Sequence, residues 1–414
     1  MKFEVFSLNV KSIGKDYSPP VLTSVKAQKG ESLLCGLLFS NPALLRIPLD
    51  ANGNCKLEDG KVLATPLAVE EQAGEGFLGV FNGLGPSASG EAVCTLLHEG
   101  FLPGFMKGLL GKSIKGKKDI ELWKFLQENE STSSALRHSV VHVEPGGGLR
   151  SRSFKESGIL WDVAQVGDFV FGLSQKSIWR EPYLKPDKRE FLRSDLLNNF
   201  NLHRDEEGYF WFLNEQGRLL RMGLTDIKAQ PTPLKTKSKS GLFVSSASVV
   251  DSWLYVTADD SKTLMRIRRN PISREEESQI VFESEFPITA IQVVDHPEVR
   301  KVFFTTSSAS HALLYSFQVV DLDDRETLAP VPPVEKILEL ESIKTVGSLT
   351  LYPQPHLVLK QNEGEDTTAE SQRSGASSHR DFDWGPKPVL WGSVGCLGQK
   401  AESSHSQILR ISDL

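Results

Sequence analysis

Cysteine, methionine and tyrosine are scarce in this chain, with four, four and six copies among 414 residues. Cys35, Cys55, Cys94 and Cys396 are scattered without metal-ligand spacing, which excludes a Cys-x-x-Cys zinc site, and three of them lie in or beside apolar runs. They read as buried thiols. No run of 18 apolar residues occurs, so there is no candidate membrane-spanning helix, and Met1-Lys2-Phe3-Glu4-Val5-Phe6 alternates like a strand where a secretory leader would be continuously apolar. A soluble, cytoplasmic chain is expected. Positive charge is not in excess either: 47 Lys and Arg stand against 53 Asp and Glu, a net charge of −6, which argues against nucleic-acid binding because phosphate neutralisation needs a basic face. Gly-x-Ser-x-Gly, His-Glu-x-x-His and Walker-type loops are missing, and with them the signatures of serine hydrolases, zincins and P-loop enzymes.

What the chain does contain is a repeated phrase. Its clearest copy is Gly208-Tyr209-Phe210-Trp211-Phe212-Leu213, a polar turn centred on Gln216-Gly217, and Leu219-Leu220-Arg221-Met222, which reads as a β-hairpin. The second half recurs at Ala43–Ile47, Glu121–Phe125, Ser177–Arg180, Thr263–Ile267, Ala312–Ser316 and Gln407–Ile411, making seven copies. Most follow a first run of the same character, such as Phe169-Val170-Phe171-Gly172 or Val389-Leu390-Trp391-Gly392. Where no insertion intervenes the spacing is about 40 to 55 residues, the length of a propeller blade and too long for most solenoids.

Candidate inner strands precede the hairpins at Val21–Val25, Phe77–Phe81, Ile159–Ala164, Asn199–His203, Val244–Ser248, Thr289–Val293 and Ser348–Leu351. Outer strands follow them, clearest at Lys61–Ala64, His138–Val143, Ile280–Glu283 and Lys336–Leu340. The last copy has no outer strand, whereas residues 2 to 10 form a strand with no partner nearby in sequence. The economical expectation is an all-β, seven-bladed β-propeller of four-stranded blades spanning residues 1–414 as one domain. Residues 2 to 10 would close the last blade, pairing two edges that would otherwise be exposed. Gly208–Phe212 with Gly217–Arg221 resembles blades of the NHL, virginiamycin B lyase and SMP-30/gluconolactonase groups of the β-propeller superfamily. The SMP-30 likeness implies a metal-binding Glu on the first inner strand, where Val21-Leu22-Thr23-Ser24-Val25 has none. The sole Trp-Asp pair, Trp161-Asp162, lies on an inner strand and not where WD40 repeats carry theirs.

Two stretches interrupt the repeat. Residues 362–386 are rich in Ser, Glu, Asp, Gly and Thr with almost no aliphatic side chain, so they cannot bury enough surface to order themselves. Residues 101–118 are different: on a helix, Phe101, Leu102, Phe105, Met106, Leu109, Leu110 and Ile114 gather on one face, with Lys107, Lys112 and Lys115 among the lysines off it. This basic amphipathic segment can contact an anionic membrane or a partner groove, or pack back on the propeller. Four glycines weaken it as an isolated helix.

Chemical candidates are sparse. Asp162, Asn199, Asn201 and His203 fall on inner strands around the channel, with Asp251 just beyond another, and an Asp/Asn/His set such as Asp162, Asn201 and His203 could hold a divalent cation for a hydrolase or lyase. Gly146-Gly147-Gly148-Leu149-Arg150-Ser151-Arg152 has glycines and cations suited to an anion but lacks the Lys and helix of a phosphate loop, and reads as a flexible connection between blades. His138 and His142 stand roughly 13 Å apart on a strand, too far to share a metal. With no nucleophile, base and electrophile assembled, the sequence points to a non-enzymatic, monomeric protein-interaction platform. No cofactor is expected, and the partner contact is placed on Phe101, Phe105, Met106, Leu109, Leu110, Lys107, Lys112 and Lys115.

Overall fold

A computed structural model of the chain describes residues 1–8, 21–28, 32–38, 43–50, 52–64, 80–85, 92–97, 136–144, 148–156, 160–166, 168–174, 177–183, 188–196, 203–204, 210–213, 219–222, 232–234, 242–250, 253–258, 262–269, 276–296, 298–308, 310–319, 330–341, 343, 345–352, 387–394 and 407–414. Within them the backbone is almost wholly strand, apart from a 3-10 turn at Leu57–Asp59. No helix there is long and apolar enough to cross a membrane.

After an N-terminal strand β1 (Lys2–Ser7), the strands fall into consecutive groups of four. The first sheet is β2 (Val21–Gln28), β3 (Ser32–Leu38), β4 (Ala43–Pro48) and β5 (Lys61–Ala64). The second is β6 (Val80–Gly85), β7 (Ala92–Leu97), β8 (Leu136–Val143) and β9 (Leu149–Glu156), and the third is β10 (Leu160–Val166), β11 (Phe169–Ser174), β12 (Ile178–Pro182) and β13 (Glu190–Arg193). The fourth holds β14 (His203–Arg204), β15 (Phe210–Leu213), β16 (Leu219–Met222) and β17 (Thr232–Leu234). The fifth holds β18 (Leu242–Val250), β19 (Trp253–Ala258), β20 (Thr263–Arg269) and β21 (Glu276–Glu283). The sixth is β22 (Ile288–His296), β23 (Val299–Ser307), β24 (Ala312–Gln318) and β25 (Glu335–Leu340). The seventh joins β26 (Val346–Tyr352), β27 (Val389–Val394) and β28 (Gln407–Ser412) to β1, which pairs antiparallel with β28 from Lys2↔Ser412 to Ser7↔Gln407.

Burial explains why the repeated apolar phrase occupies the middle of each sheet. All six residues of β27 are buried and five of six in β11, as expected of a strand covered on both faces by neighbouring sheets. The outer strands β13 and β25 are mostly exposed or half-buried. Successive sheets share cores. Phe171, Leu173 and Ile178 of the third pack with Phe210, Phe212 and Met222 of the fourth, while Leu33, Cys35 and Ile47 of the first pack with Tyr352, Val389, Trp391 and Ile408 of the seventh. Inner strands of neighbouring sheets also touch, β18 with β22, β22 with β26 and β26 with β2. Four-stranded antiparallel sheets packed face to face with their first strands side by side are β-propeller architecture.

Two sequence expectations need correction. The third strand of the second sheet is β8, and its fourth is β9; Glu121–Phe125 was expected as the third and His138–Val143 as the fourth, and residues 121–125 lie outside the described residues. The physical reason is burial: Val140, Val141 and Val143 are fully covered, which suits a central strand and not an edge, and β7 pairs with β8 from Ala92↔Val143 to Leu97↔His138. The run from Gly148 to Arg152 is therefore part of a hairpin inside one sheet and not a link between blades. Of the expected inner strands of the second and fourth sheets, Val80–Gly85 and His203–Arg204 are strand, while residues 77–79 and 199–202 lie outside the described residues. Residues 362–386, which lie outside the described residues, fall in the connection between the first and second strands of the seventh sheet.

Candidate functional site at the seam of the second and third sheets

The inner strands carry a recurrent irregularity. Their pairing slips between Leu22 and Ser24, Leu160 and Asp162, Ile288 and Ala290, and Val346 and Ser348, leaving Thr23, Trp161, Thr289 and Gly347 as extra residues at equivalent places. Such bulges bend a strand and redirect the next side chain. Asp162 directly follows one, is 3% exposed, and its Oδ1 accepts the Val163 N–H at 2.9 Å. Of its predicted companions, the His203 backbone lies on β14 but its side chain, like all of Asn201, Asn199 and Asp251, falls outside the described residues. Phe101, Phe105, Met106, Leu109, Leu110, Lys107, Lys112 and Lys115 also fall outside them. Among the described residues no group of three or more His, Cys, Asp and Glu stands close enough to hold a metal ion. Cys35, Cys55 and Cys94 are free; burial pushes the Cys35 and Cys94 thiols far above the ordinary range and Cys55 up to about 12. None is an activated thiolate.

A denser constellation lies where sequence reading placed only a flexible connection. β8 and β9 form a hairpin in which His142 stands opposite Arg150, and Val140 opposite Arg152. Two apart on one strand, Arg150 and Arg152 share a face, and both reach residues of the third sheet. Arg152 Nη1 donates to Glu181 Oε2 at 3.1 Å. The same carboxylate oxygen accepts Arg189 Nη2 at 2.9 Å and Nε at 3.2 Å, and the Glu181 side chain is only 3% exposed. Burying a carboxylate is tolerable because two guanidiniums neutralise it. Arg189 in turn lies 3.9 Å over the ring of Trp179, which is fully buried.

Next to this ion cluster, Tyr183 meets His142 edge-on with ring centroids 4.9 Å apart and carries the Arg150 guanidinium 4.1 Å above its ring. Glu144 reaches Arg150 at 4.0 Å, the limit of an ion pair. His142 Nδ1 and Arg150 Nη2 are buried and make no hydrogen bond. Burial, with the nearby Arg150 charge adding to it, lowers the His142 pKa to about 4, so the ring is neutral at physiological pH. The seam thus gathers three guanidiniums, two carboxylates, a neutral imidazole and a stacked phenol.

No family model matches the chain, and no curated protein does. Solved structures resemble it at low identity. The extracellular domain of a B. thetaiotaomicron protein described as a one-component system aligns over 98% of this chain at 10% identity and a TM-score of 0.47. This chain spans 39% of that protein's length. YCF48 bound to D1 peptide aligns over 75% of this chain and 80% of its own at 10% identity and a TM-score of 0.44. The WD40 β-propeller domain of Doa1 aligns over 81% of this chain and 87% of its own at 9% identity and a TM-score of 0.43.

Proposed function

We propose that the chain is a non-enzymatic protein-interaction platform of the cytoplasm, a ring of seven blades closed by its N-terminal strand, whose docking site is the seam between the second and third blades. The observation that carries this reading is the pairing of Arg150 with Tyr183. Arg and Tyr dominate binding hot spots because each combines a large apolar surface with directed polar groups. Here the guanidinium is held in place by the ring beneath it while its side chain stays 42% exposed. An ordered but reachable anchor loses little entropy when a partner arrives. The free thiols at Cys35, Cys55 and Cys94 are in keeping with a reducing compartment.

The test compares affinity enrichment from cells by the intact chain with enrichment by Arg150→Glu, followed by rebinding of each recovered protein in purified form. A partner that binds the wild-type chain directly and loses at least tenfold in affinity to Arg150→Glu is the expected result. Partners indifferent to the charge at position 150 would contradict the placement at this seam.

A further inference from the structure

The seam contains two buried nitrogens that no described residue satisfies, Nδ1 of His142 and Nη2 of Arg150, and the two residues are cross-strand partners on β8 and β9. Buried polar atoms in native proteins are almost always hydrogen-bonded, so an unpaired pair calls for a missing partner. The nitrogens define its chemistry. A guanidinium has only N–H groups, so the group facing Arg150 must be an acceptor. The His142 ring is neutral and can present N–H at Nδ1 with its lone pair at Nε2. The ring is about nine-tenths buried, which fixes the direction of that donor.

Charge points the same way. Arg152 and Arg189 are both engaged by Glu181, whereas Glu144 approaches Arg150 only to 4.0 Å. Three guanidiniums against two carboxylates leave the seam as a whole a surplus of one positive charge, and Arg150 is the guanidinium whose carboxylate stands farthest off. Donors from two cross-strand partners and one surplus charge match a carboxylate, with two oxygens and a single negative charge, better than a phosphate dianion. We propose that His142 and Arg150 together bind a carboxylate, and that the group occupying the seam is an acidic side chain or C-terminus of a protein ligand. This rests on the docking reading above, yet the carboxylate site can be measured without any partner.

The experiment titrates the full-length chain, labelled with 15N-histidine, with sodium acetate and separately with inorganic phosphate, each balanced with chloride to constant ionic strength. The ring signals of His142 are assigned by their loss in His142→Gln. Acetate should move them saturably, phosphate should bind more weakly, and Arg150→Gln should raise the apparent Kd for acetate at least tenfold. Arg193→Gln, on the outer strand of the third sheet, should leave it unchanged. If Arg150→Gln fails to fold, the wild-type titrations decide alone. No saturable shift with acetate would overturn the proposal and leave a trapped water as the partner of the two nitrogens; tighter binding of phosphate would overturn the assignment to a carboxylate. Acetate binding with no seam-dependent protein partner would instead contradict the platform reading while keeping the site.

Discussion

Arg410 Nη1 donates to Glu4 Oε2 at 2.9 Å, tying the two ends of the chain across 406 residues of sequence. The pair sits in register, Glu4 opposite Arg410, and Arg410 Nε also donates to the Gly53 carbonyl at 3.3 Å, in the β4–β5 connection of the first sheet. One guanidinium therefore touches the N-terminal strand, the C-terminal strand and the neighbouring sheet. Glu4 is half-exposed, so the ion pair itself is worth little, within about 1 kcal/mol. The strand that it holds is worth more, because Phe6 packs against Trp391 at 5.8 Å and Leu8 is buried in the core of the first and seventh sheets.

Removing residues 1–8 should lower stability by several kcal/mol, far beyond the effect of Arg410→Ala, since a whole edge strand and its apolar anchors are lost. Denaturant unfolding of both variants checks this. A truncated chain as stable as the intact one would show that β1 does not close the last sheet.

Gly172 on β11 lies opposite Trp179, and a Cβ there would come within 2.1 Å of the indole ring. Trp179 cannot give way, being fully buried with Arg189 against its face. Gly172→Ala should therefore cost roughly 1–3 kcal/mol or more through overpacking. Trp179→Leu in the same chain should recover part of that loss, and additive costs in a double-mutant cycle would contradict the contact.

Stability should fall with acid partly through His142. Its folded pKa, about 4, lies below the ordinary 6.5, so the unfolded chain takes up a proton that the folded chain refuses. The contribution is complete above about pH 6.5 and lost as pH falls toward 4, on the order of 3 kcal/mol. Urea unfolding at pH 7 and pH 4.5 should show a smaller loss in His142→Gln than in the wild-type chain. Equal losses would place His142 in contact with water.

The basic amphipathic segment at 101–118 remains a proposal from sequence. If it contacts an anionic surface, Phe105→Glu with Leu109→Glu should abolish association with anionic vesicles, and charge reversal at Lys112 and Lys115 should weaken it more at low salt than at high. Wild-type chain that stays in solution with such vesicles at low salt, together with a large drop in Tm for the double Glu variant, would assign those side chains to packing.

The fold was legible because its signal is local. Strands such as Phe210–Leu213 and Leu219–Met222 announce themselves by their apolar and aromatic runs, and their spacing reveals the repeat. Even the pairing of β1 with β28 followed from a count of unpaired edges. The third strand of the second sheet was misplaced because Glu121-Leu122-Trp123-Lys124-Phe125 imitates the repeated phrase, while strand pairing is a nonlocal choice decided by the burial of Val140, Val141 and Val143. The seam was hidden for the same reason. Arg150 and Arg152 two residues apart hinted at a shared face, but Glu181 and Tyr183 come from a different sheet and no spacing joins them to His142.

The most direct measurement for the docking seam is photo-crosslinking in cells from position 144, an exposed residue at the mouth of the His142–Arg150 pair. With a photoreactive amino acid in place of Glu144, the chain should yield a dominant protein adduct, bonded through an acidic segment of the partner, that disappears when Arg150→Glu is added. Adducts that persist with Arg150→Glu, or no protein adduct at all, would contradict it.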